Sequence, residues 1–210
     1  MRYYCTHLYL SRNRSCVTEL TKRQMSKDFW INPCGFENDR TDFCQKENVP
    51  VEMDGLDKKI KAFLNQLKSL QKILAEEFPA VEEESLQSQK YSFLESKYTT
   101  KENNYVYAYR MLQITAMTIE ELLGSKLSYI SPNSYFKNLS DTKITIIQLL
   151  CTVNIVLKSQ CEKYVDMDKS QMSRPFTNGS QKAERHFIAI RQIIKIFEEL
   201  LDLFSSPFYS

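Results

Sequence analysis

The chain has 210 residues, the length of one large domain or two small ones, and is 42% hydrophobic and 26% charged. Its 28 Lys and Arg nearly cancel 26 Asp and Glu, leaving a formal charge of +2 and no electrostatic basis for nucleic-acid binding. Four glycines and six prolines are too few for the tight turns of an all-β sandwich, and two histidines leave little for acid–base or metal chemistry.

Residues 1–53 show no helical periodicity. They hold Cys5, Cys16, Cys34 and Cys44, the only tryptophan (Trp30) and the turn-like Asn32-Pro33-Cys34-Gly35. This segment reads as an irregular arm that needs staples. From Asp54 onward the pattern changes. Leu56, Ile60, Phe63, Leu64, Leu67, Leu70 and Leu74 recur at three- and four-residue steps, which predicts an amphipathic helix over 55–78. Asp54 is its expected N-cap and Phe78-Pro79 its end. A partly helical crossover is expected over 79–100, because Glu82–Glu84 reads as solvated surface and Thr99–Asn104 competes with helical hydrogen bonding.

A second helix is predicted over 102–123, with Tyr105, Ala108, Leu112, Thr115, Ile119 and Leu122 on one side and Gly124 as its stop. Ser125–Leu139 reads as a loop. A third helix over 141–165 is capped by Ser140 or Asp141, and its near-continuous apolarity (Ile144, Ile147, Leu150, Val153, Val156, Leu157) predicts burial. A long loop over 166–179 precedes a fourth helix over 180–204, carrying Ile190, Ile193, Ile194, Phe197, Leu200 and Phe204. No uninterrupted apolar run reaches the roughly 18 residues of a membrane span, so no membrane insertion is expected.

Four helices of about 30–38 Å each suit a bundle. The connections ahead of the second and fourth helices are long enough to run a helix length. The predicted fold is therefore all-α: an up-up-down-down four-helix bundle over 54–206 with long crossover loops and a disulfide-stapled N-terminal arm. The cysteines favour this order. Cys34 and Cys44 stand ten apart before the first helix, and Cys151 and Cys161 ten apart in the last half of the third. In this order those segments are neighbours, so two staples from the arm are easy and Cys5–Cys16 is left local. The other pairings of six cysteines stay open.

Sequons at Asn13, Asn138 and Asn178, each in an expected loop or tail, join the cysteines in pointing to a secreted glycoprotein. The opening MRYYCTHLYLSRNRSC is split by Thr6 and His7 and does not read as a signal peptide. No phosphate-binding loop, dinucleotide fingerprint, nucleophile elbow, zinc helix or C-x-x-C occurs. Asp166 and Asp168 open like a calcium loop, yet Gln171 and Thr177 stand where that loop needs Gly and Glu. His7 and His186 are solitary. No metal, cofactor or enzymatic activity is predicted.

Two segments carry a resemblance. Ile155–Tyr164 (I-V-L-K-S-Q-C-E-K-Y) resembles the close of the third helix in long-chain four-helix cytokines of the leukaemia inhibitory factor and interleukin-six class. Thr177-Asn178-Gly179 resembles the loop that follows there, and the order of parts is similar over most of 30–206. Arthropod Unpaired-type ligands are similar in architecture. The resemblance implies a secreted monomeric ligand that clusters cell-surface cytokine receptor chains and triggers JAK/STAT-type signalling. In that class the start of the fourth helix presents an aromatic and, three residues on, a lysine. The ungapped positions here are Ala183 and His186, so that motif is absent. Phe176, Lys182, Arg185, His186 and Phe187 form the candidate aromatic–basic hot spot in its place. Lys58, Lys61 and Lys68, with Lys143, Asn154 and Lys158, form a second candidate face. Two other readings fit the same pattern: a secreted helical carrier of a lipid or other apolar molecule, and an intracellular helical adaptor.

Overall fold

Apolar residues repeating every three or four positions leave water only when helices share their stripes. The computed structural model describes residues 29–34, 55–79, 81, 86–95, 103–125, 134–171 and 182–205. Among them are four α-helices and no strand: α1 (Leu56–Glu77), α2 (Asn104–Gly124), α3 (Ser134–Ser159) and α4 (Lys182–Ser205). All seven apolar positions named for the first helix are buried. Phe63 of α1 meets Phe197 of α4 with ring centroids 4.5 Å apart. Along α2 every residue from Met111 to Ile119 is buried, so this helix is enclosed on all sides. The principal packing partners are α2 with α3, α1 with α4 and α1 with α3, with a lighter contact of α2 on α4.

Named pairs show which ends meet. Glu77, ending α1, reaches Ser134 and Tyr135 at the start of α3 (2.6 and 3.1 Å). Lys59, in the first turn of α1, reaches Thr152 in the second half of α3. Tyr105 opens α2 against the ring of Phe204 near the end of α4, and Ser125 at the end of α2 meets His186 near the start of α4.

Several helix ends depart from expectation. The N-cap of α1 is Gly55, at φ 119°, a conformation that side chains rarely adopt. Asp54 lies outside the described residues. Gly124 is the last helical residue of α2 with an ordinary φ, and Ser125 is the C-cap, its hydroxyl donating to the Leu122 carbonyl at 2.7 Å. The third helix starts at Ser134 rather than 141, and the Glu77 carboxylate accepts the Tyr135 N–H of its first turn. It also ends sooner. Glu162 N–H bonds to the Leu157 carbonyl and Cys161 N–H to that of Lys158, with Cys161 left-handed at φ 54°, the paired bonds of a Schellman stop. Cys161 therefore stands just past the helix. By length and composition α3 is apolar enough to cross a membrane; here Leu139, Ile146, Leu149, Leu150, Val153 and Leu157 lie in the shared core.

The long connections lie on the helices. In the expected crossover, Leu86 and Leu94 are buried and Ser92–Leu94 forms one 3-10 turn. Arg191 of α4 donates to the carbonyls of Leu86 and Gln89 at 2.7 and 2.8 Å. The Gln192 amide pairs with both backbone groups of Tyr91. After α3 an extended strap follows α2. Glu162 accepts from Asn103, Tyr164 packs edge-on to Tyr109 at 4.8 Å, and Lys169 pairs with Glu121 at 3.4 Å. From residue 103 to 121 a helix rises about 27 Å, and an extended chain from 162 to 169 covers about 24 Å. The strap thus runs along α2 for nearly its whole length. Val165, between two packed neighbours, points outward and is 86% exposed.

In the arm, Phe29, Trp30 and Cys34 are buried, and Cys34 stands at disulfide distance from Cys151 of α3 (Cα atoms 4.9 Å apart). The other expected arm cysteines, Cys5, Cys16 and Cys44, lie outside the described residues. Buried Gln113 of α2 joins arm and strap. Its Nε2 donates to the Trp30 carbonyl and to Asp166 Oδ1, each at 3.0 Å, and its Oε1 accepts the Met167 N–H at 3.1 Å. Gln113→Ala should destabilise the protein by about 2–4 kcal/mol through these lost bonds. Exposed Gln148→Ala should change stability by less than about 0.5 kcal/mol. Urea unfolding of the two variants measures the difference.

Candidate functional site

The end of α2 and the starts of α3 and α4 meet at one histidine. His186 is a turn inside α4, in register with Ile190, Ile193 and Phe197, so the helical repeat itself turns it inward, and it is 1% exposed. Ser125 Oγ lies 2.7 Å from Nε2 and the Tyr135 hydroxyl 2.7 Å from Nδ1. The Ser125 proton is directed at the Leu122 carbonyl. Ser125 therefore accepts from Nε2–H, and the bare Nδ1 accepts the Tyr135 O–H. Tyr135 in turn is held through its backbone by Glu77. The end of α1, the end of α2 and the starts of α3 and α4 are thus linked at one pole of the bundle.

Burial, and secondarily the charge of Arg185, pulls the His186 pKa down to about 3. Burial, and secondarily Glu77, pushes the Tyr135 phenol well above its ordinary range. The Ser125–His186 distance is that of a nucleophile and its base. However, an imidazole with this little affinity for a proton is a weak base at neutral pH, and a phenol rather than a carboxylate orients it. The arrangement acts as a structural knot.

This geometry corrects the expected hot spot. His186 and Phe187 are buried and unavailable to a partner. Arg185 is half-buried, Lys182 opens α4, and Phe176 lies outside the described residues. The second face divides as well. Asn154 is 2% exposed, its Nδ2 donating to the Tyr109 hydroxyl and its Oδ1 accepting from Tyr164, so it belongs to the core. Lys143 pairs with Glu120 of α2 and stands 4.6 Å over the Phe29 ring, holding the arm by cation–π attraction. Lys158 is half-buried at the end of α3. Exposed Lys68 pairs with Glu198 of α4 at 2.8 Å. Lys58 and Lys61 are fully at the surface, on a strip of α1 that continues through Ala62, Asn65, Ser69 and Lys72. On the outer side of α3, Ile144 is 41% exposed.

Asn138 lies on α3, not in a loop, and its Nδ2 donates to the Ser134 carbonyl at 2.8 Å. Asn13 and Asn178 lie outside the described residues. Sequence reasoning passed over Gln113, Ser125 and Tyr135. The available signal was a glutamine between Leu112 and Ile114 in a helix with almost no polar side. Tyr135→Phe leaves Nδ1 without its donor and should cost about 1–3 kcal/mol, read as a lowered midpoint of thermal or urea unfolding. No protein-family model, curated protein or solved structure matches this chain, so its function is argued from its own surfaces and fold.

Proposed function

We propose that the chain is a secreted ligand that binds and clusters cell-surface receptor chains, built as an up-up-down-down bundle in the manner of long-chain helical cytokines. The observation that carries this reading is the course of the two long connections. One lies on α4 through Arg191 and Gln192, and the other follows α2 from Asn103 to Glu121. Connections that traverse the bundle are what two parallel neighbours in sequence require. The meeting of Glu77 with Tyr135, and of Lys59 with Thr152, supports the same order.

The Cys34–Cys151 pair supports an oxidising, extracellular setting, and Cys161, exposed past α3, is the proposed partner of Cys44. Fully buried Phe63, Tyr107, Tyr109, Tyr135 and Phe197 occupy the interior, which favours a ligand over a carrier of apolar cargo. Such a ligand performs no covalent step. Its rigid body holds two faces apart, and receptor chains drawn to those faces are brought together, which starts JAK/STAT-type signalling inside the cell. The strip from Lys58 to Lys72 is the proposed receptor-facing surface. Its exposed lysines would steer an acidic receptor patch and speed encounter.

Mass analysis of non-reduced against reduced protein should find peptides linking Cys34 to Cys151 and Cys44 to Cys161; six free thiols would reject the extracellular reading. Labelled, oxidised protein should bind cells saturably. Lys58→Glu with Lys61→Glu should weaken that binding on the order of 10-fold without altering the helical circular dichroism. Absence of saturable binding, together with a lipid recovered from the purified protein, would overturn the ligand reading in favour of the carrier.

A further inference from the structure

We propose that the pole around His186 is an acid-released latch, which loosens the end of α2 and the starts of α3 and α4 ahead of the rest of the bundle as the pH falls from neutral to about 5. The latch follows from the hydrogen-bond count. With the ring neutral, three donors (Tyr135 O–H, His186 Nε2–H and Ser125 O–H) meet three acceptors (Nδ1, Ser125 Oγ and the Leu122 carbonyl). A proton on Nδ1 would make the phenol oxygen the acceptor, leaving the Tyr135 O–H without its own acceptor and placing a positive charge inside a site that is 1% exposed.

The groups that touch the ring offer an imidazolium no opposite charge. On its own helix the nearby charge is Arg185, of like sign. From α2 it meets uncharged Ser125, while Glu121 of that helix is paired with Lys169. From α3 it meets Tyr135 and Phe136, both uncharged. From α1, Glu77 commits Oε1 to Ser134 and to the Tyr135 backbone, and its buried Oε2 has no hydrogen-bond partner. No carboxylate contacts the ring among the described residues. The proton is therefore taken up by an opened pole, in which the imidazole meets water.

The sign is fixed by the depressed pKa of the closed form, about 3 against an ordinary 6.5. Stability supplied by neutral His186 is complete above pH 6.5 and drains as pH falls toward 3. An opened pole titrating at 6.5 gains about 30-fold in population between pH 7.5 and 5.0. The opposite pole is fastened otherwise, by Lys59 to Thr152 and by Tyr105 against Phe204. It has no histidine among the described residues.

Hydrogen exchange on the full oxidised chain tests the latch, with rates corrected for the intrinsic effect of pH. Amides of 122–125, 135–142 and 186–190 should show an opening equilibrium about 30-fold higher at pH 5.0 than at 7.5, while those of 149–157 and 193–200 change less than about 3-fold. His186→Gln keeps a donor for Ser125 and an acceptor for Tyr135, and should reduce the polar change below about 3-fold. Tyr135→Phe serves as a second variant: it removes one bond of the closed pole while His186 stays buried, so polar opening should rise at both pH values with their roughly 30-fold ratio kept. A rise shared equally by all four helices, no rise at the pole, a full rise persisting in His186→Gln, or a pH ratio lost in Tyr135→Phe would overturn the latch.

Discussion

Gln113 of α2 bonds two separate pieces of chain at once, the arm and the strap. An enclosed helix such as α2 must be covered by something, and here two of the covers are irregular segments, the arm and the strap. Irregular backbone carries N–H and carbonyl groups with no ladder to join, and burying them without partners costs more than the apolar contact returns. A side-chain amide offers two donors and an acceptor in one plane. Gln113 uses them on the Trp30 carbonyl, the Asp166 carboxylate and the Met167 N–H. Cys34 against Cys151 then holds the arm to α3 while Gln113 holds it to α2, so the arm is attached to both helices of the pair it crosses.

The same device recurs on α4. Arg191 and Gln192 supply to the crossover the hydrogen bonds that a strand partner would give, and Leu86 and Leu94 place the apolar anchors on either side. Long loops are inexpensive to close but costly to order residue by residue. Fastening each connection at a few polar points, with a buried leucine beside them, orders it without secondary structure of its own. The Tyr91 hydroxyl, whose pKa burial raises to about 12, stays a neutral phenol within this packed stretch.

How far the fold was legible in the sequence can be judged helix by helix. The seven apolar positions of α1 are all buried, as their spacing required. The start of α3 was less legible, because a partner of its first turn is not local. That partner is Glu77, which is 58 positions away from Tyr135 in the chain, and no window around Ser134 contains that carboxylate. In the candidate site, Lys58 and Lys61 were legible as surface from the helical period alone. Asn154 and His186 were misassigned by residue type. Asn154 is four positions after Leu150 and three before Leu157, and His186 is four before Ile190, so both are in buried register. Their polarity pointed outward, and partners 45 and 51–61 positions distant turned them inward. The hydrogen-bond partner, which decides between core and surface for a polar residue, is a tertiary fact.

Buried polar groups in this chain are spent on fastening, and that bears on function. Gln113, Gln192, Asn154 and His186 each bond polar groups on other segments of the chain. What a partner meets is decided by where the connections lie. The arm and strap occupy the outer side of α2, and the crossover occupies part of α4, while α1 keeps its strip of lysines and small residues open to solvent. In the proposed reading, a ligand that works by presenting faces needs those faces rigid, and the fastened connections would supply that stiffness. At the His186 pole the same economy of bonds leaves an added proton one acceptor short while the pole is closed. In the proposed latch, the joint built on the His186 ring is the place where acidity would release the pole.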